Sequence, residues 1–70
     1  MTDSLNSRTA ANIRAELARR RITQEEFADR LGMGRTSVTA MLLGQTAITL
    51  PKLERIAAVL DVEPSKLLND

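Results

Sequence analysis

Along the 70 residues, apolar positions recur at steps of three and four, and nowhere do apolar and polar residues alternate over the length of a strand. From Arg8 to about Arg20, Ile13 and Leu17 stand one turn apart as a buried stripe, with Ser7 or Thr9 as cap and Ser4 and Leu5 able to add a turn. Thr23-Gln24-Glu25-Glu26 has the capping-box order of hydroxyl, two residues and carboxylate. It opens a second helix that buries Phe27, Ala28 and Leu31 and stops at Gly32. A helix this short, followed at once by another periodic segment, predicts two helices crossing steeply. In that next segment, Arg35 to Leu43, one face holds Val38, Met41 and Leu42, and the other holds Thr36, Thr39, Ala40 and Leu43. Gly44 ends it, and Gln45 to Ile48 form a connection. Thr49 caps a fourth helix with Pro51 in its first turn, where a missing N–H costs nothing, and with Leu53, Ile56, Ala57 and Leu60 as its stripe. A last short helix opens at Glu63-Pro64 and carries Leu67 and Leu68. The pattern predicts an all-α fold of five helices on one core, spanning residues 8–70 behind a short N-terminal tail, residues 1–7.

Composition narrows the functions open to such a fold. At 43% apolar and 27% charged, the chain is a globular domain and not a disordered one. It has no Cys, His, Trp or Tyr. Thiolate and imidazole metal ligands, a disulfide framework and any Cys- or His-based nucleophile and base pair are therefore missing, so neither catalysis nor a cofactor is expected, and no small-molecule ligand. The first residues lack the apolar run of a signal peptide, and no run approaches the ~20 apolar residues that span a bilayer; the expected location is the cytoplasm. Net charge is only +1, so a polyanion has to be met by local placement of cations. Eight of the ten cations are arginines, whose planar fork suits phosphates and guanine edges. The run Arg19-Arg20-Arg21 complements the negative end of the first helix and reads as a solvated terminus.

The stretch LGMGRTSVTAMLLG, Leu31 to Gly44, holds all three glycines. As a dinucleotide fingerprint it would need a preceding strand, a βαβ unit and a downstream acid, and it has none of them. As a plain helix hairpin it leaves Arg35 unexplained, because a cation in the first turn opposes the helix dipole. Thr36, Ser37 and Thr39 are mediocre helix formers on a face that packing does not dictate. Small side chains around one long planar cation suit a helix that lies against something narrow, such as the major groove of DNA.

Gln24, Ala28, Gly32, Val38 and Met41, with Phe27 and Leu31 between them, have the spacing of the phage repressor and Cro-type helix-turn-helix family, and residues 13–68 resemble its lambda-repressor-like branch. The resemblance implies a sequence-specific regulator, a repressor that binds double-stranded, palindromic operator DNA as a homodimer. In it Gln24 touches a phosphate and braces Arg35. Arg35, Thr36, Thr39 and Ala40 face base edges beside Ser37, Thr46 reaches a base from the following loop, and Thr49 and Lys52 meet the backbone. Leu43 stands where a polar phosphate contact is usual, and Leu42 where many members carry glutamate. The N-terminal residues lack the lysine-rich arm, since Met1 to Ser7 has no cation. Leu67 and Leu68 are the candidate dimer contact, as neighbouring leucines on a short helix cannot both face one core; the alternative is a fraying end with one core leucine. The alternative function is an antitoxin or anti-regulator of the same fold that acts through a protein partner.

Overall fold

A computed structural model describes residues 5–68. Among them lie five helices: α1 (Leu5–Arg20), α2 (Gln24–Leu31), α3 (Arg35–Leu42), α4 (Leu50–Leu60) and α5 (Pro64–Leu68). The order and the all-α class are those the periodicity predicts. Two boundaries differ: α3 ends at Leu42, one residue before Leu43, and α1 begins at Leu5 and not at Arg8, the added turn that Leu5 allowed, so Leu5 to Ser7, placed in the tail, are helical. The reason for the second is tertiary. Asn6 hydrogen-bonds the connection between α3 and α4, some 40 residues away, with its amide nitrogen 3.0 Å from the Thr46 carbonyl oxygen. No local pattern announces such a bond.

α1 buries Thr9, Ala10, Ile13, Glu16 and Leu17, one face of a helix at three- and four-residue steps. Phe27, Ala28 and Leu31 of α2, Val38, Met41 and Leu42 of α3, and Leu53, Ile56, Ala57 and Leu60 of α4 complete the core. α1 packs on α3 and α5, α2 on α3 and α4, and α4 on α5. Leu67 is fully buried in this core, and Leu68 sits half-buried at its edge. The expectation that Leu67 forms a dimer contact is therefore corrected, because it already fills the protomer's own interior.

Glu16 is the buried group that the sequence reading missed. It is only 4% exposed, and its carboxylate lies 3.2 Å from Arg20 Nε, 3.4 Å from Arg19 Nη1 and 3.9 Å from Lys66 Nζ. Arg19 and Arg20 are thus more than a solvated terminus: with Lys66 they neutralise a carboxylate that ties α1 to α5. Asn12 reinforces the same contact by donating to the Leu67 carbonyl at 2.9 Å.

The helix ends are closed by local hydrogen bonds. Past α2, Gly32 takes a left-handed conformation with φ +70°, and its N–H and that of Met33 close onto the Asp29 and Ala28 carbonyls. α1 and α4 end with the same pair of bonds, although Arg21 (φ +57°) and Asp61 (φ +58°) stand where glycine is usual. At the start of α2 the capping box is complete. The Thr23 hydroxyl accepts the Glu26 N–H at 3.1 Å, and Glu26 Oε1 accepts the Thr23 N–H at 3.0 Å. That backbone N–H, then the Thr23 hydroxyl, and then the Arg30 charge hold the Glu26 carboxyl below the usual glutamate range.

Candidate nucleic-acid interface

α3 has a core-facing side and an open side. Val38, Met41 and Leu42 are buried, whereas Arg35, Thr36 and Ser37 are exposed and Thr39 and Ala40 are partly so. The helix starts at Gly34, an N-cap with φ −69° and no side-chain bond to the first turn. Arg35, Thr36, Thr39 and Ala40 line one shallow depression. Gln45, which the sequence reading left in a connection, joins them on its wall. The signal for it was weak, since a residue just past a helix-ending glycine carries no periodicity of its own.

Gln24, at the start of α2, reaches this surface. Its Oε1 accepts a hydrogen bond from the Thr39 hydroxyl at 3.1 Å. The resemblance implies a brace on Arg35; the bond found here instead holds Thr39, in the second turn of α3 and one turn beyond Arg35.

A second depression adjoins the start of α4, lined by Leu31, Met33, Thr49, Pro51, Lys52 and Arg55. Thr49 caps α4 through the Lys52 N–H at 3.4 Å. Arg55 donates to the Leu31 carbonyl, which ties α4 to the end of α2 beside the turn that precedes α3. The first turns of α3 and α4 hold no acidic residue, while that of α2 holds Glu25 and Glu26. With Arg35 on one and Lys52 on the other, two of the helix starts present the positive end of the dipole together with a cation.

The predicted site residues therefore fall into two groups and three outliers. Gln24, Arg35, Thr36, Thr39 and Ala40 are gathered on one surface, and Thr49 and Lys52 on the next. Ser37, Leu43 and Thr46 are exposed but line neither depression. Leu43 is 59% exposed just beyond α3, with an apolar side chain open to solvent.

Two short packed helices joined by a glycine turn, the second showing a bare polar face, are the architecture of a helix-turn-helix protein. The helix-turn-helix family matches residues 13–67, and the chain belongs to its lambda-repressor-like branch, a family of DNA-binding regulators. No curated protein matches the chain.

Proposed function

We propose that this chain is a sequence-specific transcriptional repressor that occupies operator DNA with α3 in the major groove. The observation that carries the reading is the open side of α3. An exposed guanidinium stands over small side chains on a helix whose opposite side is wholly buried, and Gln24 braces the middle of that helix. Arg35 would grip guanine O6 and N7 through two parallel bonds, and Ala40 would pack on a thymine methyl, with Thr36 and Thr39 beside them. Gln24 still has its amide NH2 to donate to a phosphate. Thr49, Lys52 and the free N–H groups of α4 would take further phosphates, and Thr46 would meet the DNA from the loop.

One such unit reads few base pairs, so the reading includes a two-fold homodimer on half-sites about 34 Å apart, bound in the cytoplasm. Leu68, at the rim beside exposed Leu5 and Leu50, is the member of the C-terminal leucine pair open to a partner.

Selection of bound duplexes from a random pool tests the reading directly, and a palindromic consensus is the expected result. Arg35→Ala weakens the selected site by about 1–3 kcal/mol and relaxes one base position. Lys52→Ala weakens all sequences alike and lowers the salt slope by about one. An operator affinity untouched by Arg35→Ala would remove α3 as the reading helix.

A further inference from the structure

Gly44, Gln45 and Thr46 are held more firmly than a surface connection requires. The Asn6 amide nitrogen donates to the Gly44 carbonyl at 3.4 Å and to the Thr46 carbonyl at 3.0 Å, the residues on either side of Gln45. Asn6 Oδ1 accepts the Ile48 N–H at 2.9 Å. From α3, the Ala40 carbonyl accepts the N–H of Gln45 itself at 2.9 Å, and Gly44 turns the chain there with φ +76°. A Cβ on Gly44 would lie 3.3 Å from Ser7 Oγ, so α1 and the turn are in close contact. The backbone of Gln45 is pinned on both sides. Its side chain is exposed and lines the depression with Arg35, Thr36, Thr39 and Ala40.

Resting on the DNA reading above, we infer that Gln45 is a specificity-determining residue that reads an adenine edge beside the bases met by α3, and that Asn6 is the residue that positions it. A glutamine carboxamide offers an acceptor oxygen and two N–H donors, and adenine presents an amino donor at N6 and an acceptor at N7. The two sets match as a pair of antiparallel hydrogen bonds. Glutamine is a flexible side chain, and ordering it costs entropy on binding. A backbone fixed by four hydrogen bonds confines that cost to the side chain itself.

Bound-site selection with the full chain tests this, run on the wild type, Gln45→Ala, Gln45→Glu, Asn6→Ala and the Gln45→Ala, Asn6→Ala double variant, with thermal unfolding of each. The wild type is expected to select adenine next to the Arg35-dependent position. Gln45→Ala loses that preference by roughly tenfold or more, and Gln45→Glu, which only accepts, moves it toward cytosine. Asn6→Ala relaxes the same position, and the double variant relaxes it no further than Gln45→Ala alone. Should Asn6→Ala fail to fold, Asn6→Ser, which keeps a short polar side chain without reaching both carbonyls around Gln45, takes its place. A consensus unchanged in Gln45→Ala overturns the inference while leaving the role of Arg35 intact. Loss of affinity for every sequence alike in Asn6→Ala, without a shift at that position, overturns the role of Asn6. A wild type that selects no sequence removes the DNA reading and this inference together.

Discussion

Single residues decide how α3 is delivered and oriented. Gly32 ends α2 at φ +70°, a conformation that costs an L residue about 1–2 kcal/mol. Gly32→Ala should lower stability by about that amount in urea unfolding, with the slope unchanged. Gly34 differs, because its φ is negative and nothing lies within 4 Å of a Cβ placed there. Gly34→Ser should therefore add the missing cap and stabilise by a few tenths of a kcal/mol. Gly32 as a helix stop was legible from residue type and position. The partner of Gln24 was not, since Arg35 and Thr39 lie one turn apart on the same helix and only the packing angle of α2 on α3 chooses between them. Thr39 also differs from an ordinary surface threonine. Its hydroxyl proton is engaged by Gln24, so toward anything in front of it the side chain presents lone pairs and a methyl group.

At the scale of elements, α2 depends on its cap. The lowered pKa of Glu26 means that the charged form is favoured by folding, so its contribution is present above the unfolded glutamate pKa and is lost as pH falls through the lower folded value. The stability gap between wild type and Glu26→Gln should accordingly shrink as pH drops from about 5 through that range, as read by thermal unfolding across pH. The capping box, the two glycine stops and the Thr49 cap could all be read from the chain, because each is a local arrangement of residue types. The choice between Leu5 and Arg8 as the start of α1, and how α1 ends, could not. Its start depends on Asn6 meeting a distant loop, and Arg21 adopts a left-handed conformation that residue type does not favour. Glu16 was hidden for a related reason. A glutamate on a helix flanked by arginines reads as solvent-exposed until α5 closes over it. Glu16→Gln should cost on the order of 1–2 kcal/mol, less than the 3–5 of breaking a fully buried pair, since all three cations can return to water. Hydrogen exchange in α5 should quicken in that variant.

For the molecule as a whole, one small core supports everything. Phe27 is fully buried and is the chain's single aromatic residue. Truncating it to alanine costs about 3–5 kcal/mol, against a total of about 4–10 for a chain of this length. Phe27→Ala should lower the unfolding temperature by roughly 10–40 °C, read by circular dichroism. Leu67→Ala should likewise lower the unfolding temperature strongly, whereas Leu68→Ala should keep it and, if the proposed dimer forms through Leu68, weaken self-association in sedimentation. That pair of leucines shows where sequence reading stops: it identifies two apolar neighbours of which one must lie outside the core, and only the docking of α5 on α1 decides which. The same docking bears on how the protein is made. α1 leaves the ribosome first, yet the helix that closes over its flank is synthesised last of the five. Leu67 is thus the last core side chain to be made, and a chain cut before α5 should show weaker hydrogen-exchange protection in α1 than the whole chain.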